Sequence, residues 1–243
     1  MTDKLSFKNI VDKSDSIVFF GGAGVSTESG IPDFRSVTGL YSAHDGSSYP
    51  PEYMLSHTCF VKKTKEFYDY YRQNMLYPEA KPNEAHKALA KLEQSGKIKA
   101  VITQNIDGLH QSAGSKNVIE LHGSVHRNYC MKCHMEYNLD FILHTETEPH
   151  CIKCDGIVKP DVVLYEEPLN QKSMESAMQY IKNAEVLIIG GTSLNVYPAA
   201  GLIQYFAGQH LILINKSVTP YDDKAELVIR DGIGITLEPL LNK

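Results

Sequence analysis

The chain has no tryptophan, no apolar run approaching a membrane span and no excess of basic charge. Its longest apolar stretches, residues 17–20, 186–189 and 211–214, fall far short of the roughly 20 residues that a bilayer requires. Residues 1–15 offer neither an apolar segment nor a small-residue cleavage site, so no signal peptide is expected. A cytoplasmic protein with no membrane partner is the expectation. Lys and Arg number 24 against 29 Asp and Glu, a net charge of −5, which argues against bulk attraction to nucleic acid. Cysteine is scarce, at 5 residues, and the cytosol keeps thiols reduced, so disulfides are not expected.

What remains is an ordinary globular composition, 42% hydrophobic and 22% charged, long enough for one core plus a small module. Short β-branched runs at 17–20, 100–103, 118–121, 162–165, 186–189 and 211–214 predict buried parallel strands. Between them lie helical patterns. Asn83 caps one whose apolar face is Ala85, Ala88, Leu89 and Leu92, ended by Gly96. Met174, Ala177, Met178 and Ile181 form the face of another, and a third is expected from Pro198 to Ala207. Alternating strands and helices indicate an α/β fold: a Rossmann-like parallel sheet with helices on both faces. Two stretches interrupt the alternation, an aromatic-rich helical one at about 36–80 and a cysteine-bearing one at about 124–158. They are expected to form a smaller lobe within a single catalytic unit, the larger lobe being about 1–35, 81–123 and 159–243.

After the first predicted strand comes Gly21-Gly22-Ala23-Gly24-Val25-Ser26-Thr27. Such a turn, followed by a helix, aims backbone amides at a pyrophosphate. Taken alone the signal is weak, the minority alternative being a tight strand-to-helix turn without ligand. Thr27 stands where the dinucleotide fingerprint has its last glycine, which counts against a hydride-transfer dehydrogenase. The cysteines speak more strongly. Cys130 and Cys133 form one C-x₂-C pair, Cys151 and Cys154 a second, 17 residues apart. Four thiolates make a closed, structural zinc site; a redox dithiol would need only one such pair. The flanks of this module are acidic, without the basic, aromatic-studded stripe of a nucleic-acid reader, so no direct nucleic-acid contact is expected. Cys59, outside the module, reads as a buried apolar thiol.

The glycine-rich loop continues to Ser36 as Gly-Ala-Gly-Val-Ser-Thr-Glu-Ser-Gly-Ile-Pro-Asp-Phe-Arg-Ser. It is followed by Thr103-Gln104-Asn105-Ile106-Asp107-Gly108-Leu109-His110, Leu121-His122-Gly123, Lys159 to Glu167, Gly191 to Pro198, and Ile214-Asn215. In order and spacing this set resembles the sirtuins along nearly the whole chain. The resemblance implies an NAD-dependent protein lysine deacetylase, taking acetyl-lysine proteins or peptides to free lysine, nicotinamide and O-acetyl-ADP-ribose. It implies NAD contacts at Gly22, Ala23, Thr27, Asp33, Phe34, Arg35, Gln104, Ile106, Asp107, His122, Gly191, Thr192, Ser193, Asn215 and Asp231. His122 is implied as the general base, a role suited to an imidazole at neutral pH, with Asn105 positioning water or ribose. Peptide contacts are implied at Val163, Leu164, Tyr165, Glu166, Asn195 and Val196, the peptide adding as a strand.

Tyr165 and Glu166 stand where the family usually has Phe and Gly. Family members that remove succinyl or malonyl groups carry a Tyr-x-x-Arg pair; here Tyr68 is followed by Tyr71 at the Arg position, and Arg72 points about 100° away on a helix. Acetyl is therefore expected over succinyl. A mono-ADP-ribosyltransferase on the same scaffold and a non-catalytic NAD- or zinc-binding module are the alternatives. A monomer is expected.

Overall fold

The architecture follows from a computed structural model that describes residues 2–34, 36, 39–41 and 49–241. Nine strands occur among them: β1 (Ile17–Gly21), β2 (Ile98–Thr103), β3 (Val118–Glu120), β4 (Gly123–Cys130), β5 (Glu136–Tyr137), β6 (Val158–Val162), β7 (Val186–Gly190), β8 (His210–Ile214) and β9 (Leu227–Ile229). Six of them form one parallel sheet in the order β3-β2-β1-β7-β8-β9. Counted along the chain within this sheet alone, that is the 3-2-1-4-5-6 order of dinucleotide-binding folds. The order reverses between β1 and β7, whose last residues Gly21 and Gly190 are in register.

Side chains alternate across the sheet and so build two cores. Ile17, Phe19, Val101, Ile188 and Ile212 face the helices Thr2–Lys13 and Glu84–Gln94. Val18, Phe20, Ile102, Ile189 and Leu213 face the helix Gln171–Lys182 and the turn-like segment Ala199–Tyr205. The predicted N-cap is present: Asn83 Oδ1 accepts from the Ala85 amide at 2.9 Å. The segment after Pro198 is a 3₁₀ helix rather than the expected α-helix, and it stops at Tyr205.

A second, antiparallel sheet of order β5-β4-β6 carries the cysteines. Its strand β6 corrects one expectation. The run at 162–165 is not a parallel strand of the large sheet: pairing ends at Val162, and the pairing is antiparallel, to β4. The cause is Gly123, at φ +77, where an added Cβ would stand 1.9 Å from the Asp161 carbonyl oxygen. That close approach takes the chain directly from His122 into the small sheet. The small sheet does not stand alone. Tyr68, Tyr71 and Phe67 of the helix Thr64–Met75 pack with Val125, Val158 and Ile142 in one shared apolar core, which also holds Cys59 at zero exposure. The two interruptions read from the sequence therefore meet in space and complete each other's core. No described helix is long and apolar enough to cross a membrane.

Candidate active site

The glycine-rich loop leaves β1 without entering an α-helix. It forms two 3₁₀ turns, Ala23–Val25 and Thr27–Ser29, and ends at Gly30 in the left-handed region. The expectation of a helix N-terminus aimed at phosphate is corrected accordingly. Two of the glycines serve the meeting of β1 and β7. A Cβ on Gly24 would lie 2.7 Å from Gly191 Cα, and one on Gly22 would lie 2.8 Å from Thr192 Cβ. The Gly24 amide donates to the Gly191 carbonyl at 2.8 Å and the Gly22 amide to that of Gly190 at 3.3 Å. Ala23, between them, gives its amide to no backbone carbonyl among the described residues.

This crossing point opens into a cleft of about 860 Å³, and a neighbouring cavity of about 430 Å³ continues it across Asp33, Gly191 and Asn215. The larger cleft is lined by Gly22, Ala23, Phe34, Gln104, Asn105, Ile106, Asp107 and His122, by Val163 through Glu166, and by Gly191, Thr192, Ser193 and Val196. Thr27 and Asp231 line the smaller one. Of the residues expected in the site, Asn195 does not line either cavity and is exposed. Leu194, buried and at φ 57, turns the chain so that its neighbour faces outward. Arg35 lies outside the described residues.

Within the larger cleft the polar groups are tightly connected. Ser26 Oγ donates to Asp107 Oδ2 at 2.6 Å and accepts from Asn105 Nδ2 at 3.0 Å. Asp107 Oδ1 accepts the Leu109 amide at 2.9 Å, and its carbonyl accepts from His126 Nε2 at 3.0 Å. Gln104 Nε2 donates to Thr192 Oγ1 at 3.1 Å, tying the ends of β2 and β7. His122 Nδ1 lies 2.8 Å from the Gln104 carbonyl oxygen. A carbonyl only accepts, so Nδ1 carries the proton and Nε2 of the neutral ring is left as a base. Burial pulls the His122 pKa below the ordinary histidine value, more than the Gln104 carbonyl raises it.

Ser26, Glu28 and His126 were not singled out from the sequence. Ser26 lies inside the glycine-rich signature, where its hydroxyl type was the available signal. Glu28, whose Oε1 accepts the Gly234 amide at 3.0 Å, lines the smaller cavity, and no sequence pattern marks that meeting of residues 206 apart.

The segment expected to receive peptide is partly paired already. Tyr165 donates its amide to Leu55, and its carbonyl accepts from His57. Glu167 closes the turn: Oε2 takes the Leu164 amide at 2.9 Å and the buried Lys159 ammonium at 3.1 Å. Glu166 sits at φ 76, a conformation that favours glycine. Its carboxylate is held by the Thr58 amide at 2.9 Å and hydroxyl at 2.7 Å, bonds that lower its pKa. Tyr71 lines the cleft with its hydroxyl buried and without a hydrogen-bond partner among the described residues, and burial raises its pKa well above the ordinary phenol value. Arg72 turns to the Ile142 and Thr147 carbonyls instead.

The four cysteines converge. Their sulfurs all lie within 4.8 Å of one another, with Cys130–Cys154 at 3.4 Å and Cys133–Cys151 at 3.5 Å. A tetrahedral ion with Zn–S bonds near 2.3 Å requires sulfurs roughly 3.8 Å apart, so the cluster fits zinc. Backbone amides of Lys132 and Cys133 point at Cys130 Sγ, each at 3.4 Å. Against a desolvation that pushes it up, hydrogen bonds from the Tyr137 hydroxyl and the Lys153 amide bring the Cys151 thiol down to about 6. These donor sets favour thiolates at Cys130 and Cys151. At Cys154 the Gly156 amide lowers the thiol, but burial and the neighbouring cysteines outweigh it and push it up to about 12.

A family model described as the Sir2 family matches residues 22–198. A protein of Clostridium acetobutylicum named NAD-dependent protein deacetylase is 60% identical over 243 residues, 99% of each chain. Two solved structures superpose closely. A Sir2 complex with a p53 peptide and NAD⁺ gives a TM-score of 0.84 at 38% identity, over 97% of this chain and 96% of that one. A Sir2 variant with deacetylated p53 peptide and 3′-O-acetyl-ADP-ribose gives 0.89 at 37% identity, over 98% and 97%.

Proposed function

The chain belongs to the Sir2 family, and from that premise we propose that it is an NAD-dependent protein lysine deacetylase. NAD, when bound, supplies an ADP-ribosyl group that accepts the acyl group as nicotinamide leaves. Gly22, Ala23, Thr27, Asp33, Phe34 and Arg35 are assigned to its pyrophosphate and nearer ribose. Gln104, Ile106 and Asp107 are assigned to the nicotinamide, and Gly191, Thr192, Ser193, Asn215 and Asp231 to the adenosine half. Two adjoining cavities that share Asp33, Gly191 and Asn215 in their walls support a ligand with two linked halves.

One observation carries the reading: the cleft that holds Asn105, Asp107 and Val163 also holds a neutral imidazole whose tautomer leaves Nε2 free. His122 Nε2 takes a proton from a ribose hydroxyl, and the bond from Nδ1 to the Gln104 carbonyl keeps the ring oriented while it does so. Asn105, held by Ser26, orients water or ribose. The acyl-lysine enters past Val163, Leu164, Tyr165 and Glu166, with Val196 opposite and Asn195 at the rim. The neutral phenol of Tyr71, in place of an arginine, favours acetyl over a carboxylated acyl group.

The same reading takes the four cysteines as a structural zinc site that stays out of the chemistry. It takes 1–35, 81–123 and 159–243 as a large lobe and 36–80 and 124–158 as a small one. The enzyme works as a cytoplasmic monomer on acetyl-lysine proteins, without nucleic acid.

Nicotinamide release from NAD tests the proposal, measured with acetyl-lysine peptide, with succinyl-lysine peptide and with none. Release is expected only with peptide, and faster with acetyl. Release that ignores the peptide would overturn the reaction class, and faster desuccinylation would overturn the acyl preference.

A further inference from the structure

The loop from Gly22 to Gly30 carries much of the proposed NAD site, yet it contains no α-helix and four of its residues are glycine or alanine. Something outside it must hold its shape. Part of the answer is the contact with Gly190 and Gly191 at its start. In the far part Glu28 Oε1 accepts the Gly234 amide at 3.0 Å, and a second side chain, Asn83, reaches the loop on either side of Ser26. Asn83 Nδ2 donates to the Val25 carbonyl at 2.8 Å and to Ser29 Oγ at 3.0 Å. Its Oδ1 accepts the Ala85 amide at 2.9 Å, and its own amide donates to His86 Nδ1 at 3.3 Å. The amide group can face only one way, because a carbonyl acceptor lies on one side and a backbone donor on the other.

Those two contacts bracket Ser26, the residue whose hydroxyl joins Asn105 and Asp107. The other end of the connection is rigid. The helix that Asn83 caps buries Ala85, Ala88, Leu89 and Leu92 in the core beneath the large sheet. Hydrogen bonds and a short stretch of loop backbone therefore link a packed helix, through Asn83 and Ser26, to the groups assigned to nicotinamide. Capping the helix needs only the side-chain oxygen. The two bonds from the nitrogen add nothing to the cap and act only on the loop.

We infer that Asn83 is a positioning residue for the dinucleotide site, its amide nitrogen setting the loop around Ser26 while its oxygen caps the helix. This rests on the proposal that the loop binds NAD. Asn83→Asp separates the two tasks. An aspartate caps a helix as well as asparagine does, but it cannot donate, and it sets a negative charge against the Val25 carbonyl.

The test uses the full zinc-loaded chain, with NAD affinity measured by titration calorimetry alongside thermal melting and the KM for acetylated peptide. Asn83→Asp is expected to melt within a few degrees of wild type, to bind NAD about tenfold more weakly, and to keep its peptide KM within about twofold. A cooperatively folded variant with unchanged NAD affinity would overturn the inference. So would one whose peptide KM rises in step with the NAD dissociation constant, since that marks general loosening. If Asn83→Asp does not fold, Ser29→Ala leaves the cap intact and removes one of the two acceptors. A weakening of NAD by roughly threefold is then expected, and no change would overturn the inference. A wild-type chain that does not bind NAD would sink the functional proposal and this inference together, whereas normal wild-type binding with an unaffected variant sinks only the inference.

Discussion

The two sheets solve the problem of stability in opposite ways. The large one has six strands, apolar side chains on both faces and a helix layer on each; hydrophobic burial is enough to hold it. The small one has only three strands, one of two residues, and its core is borrowed from the aromatic helix Thr64–Met75. It gathers four thiols at its tip instead. The site lies where they join, because Gly123 lets the chain pass from one sheet to the other immediately after His122. A fixed wall and a pinned wall thus face each other across the cleft.

The strongest way to break this contrast is to remove the pin. Structural zinc contributes on the order of 10 kcal/mol or more to the folding of small modules. Chelation, or Cys130→Ser, is expected to abolish deacetylation and expose amides of β4, β5 and β6 to hydrogen exchange while those of β1, β7 and β8 stay protected. Uniform loss of protection would show that the two sheets unfold as one.

Next in size is the base proposed at the junction. His122→Ala is expected to lower kcat by about 10²- to 10⁴-fold with melting temperature nearly unchanged, as steady-state kinetics and thermal melting would reveal. Because burial lowers the His122 pKa, wild-type rate should rise with pH through a value below about 6.5 and level off above it.

A smaller effect sharpens the comparison from the other side. His86 and His110 are buried beneath the large sheet with ring centroids 4.7 Å apart. Burial pulls His86 down to about 4, and burial with the neighbouring His86 pulls His110 well below the ordinary value. Both stay neutral when folded, so the unfolded chain binds more protons as pH falls. Their contribution is complete above the unfolded pKa near 6.5 and is lost progressively towards about pH 4. Melting temperature should fall over that window, and His86→Gln should flatten the fall. An unaltered pH profile in that variant would assign the acid sensitivity elsewhere.

How much of this was legible beforehand depended on whether the signal was local. The strands at 17–20, 186–189 and 211–214 and the Asn83 cap were readable, because β-branched runs and a capping residue act within a few positions. The strand 227–229 was not, since its apolar run is only three residues long, bounded by Glu226 and Arg230, and shorter than any of the runs that were read. The run at 162–165 misled because a buried apolar stretch looks the same in either sheet. The loop after β1 misled because its glycines answer to Gly191 and Thr192, nearly 170 residues away, rather than to a helix of its own. Ser26, and the reach of Asn83 beyond its cap to Val25 and Ser29, escaped notice for the same reason, since those partners are distant in sequence.

By itself, then, the order of residues determined the α/β class, the two thiol pairs and the set of segments that meet at the cleft, since periodicity, spacing and signature length are written along the chain. Only the tertiary structure decided that His122 keeps its proton on Nδ1, that Asn195 turns outward and that Asn83 reaches the loop. Each of these depends on which backbone carbonyl or cavity wall lies within about 3 Å of a side chain, and such proximity arises only when strands distant in sequence are laid side by side.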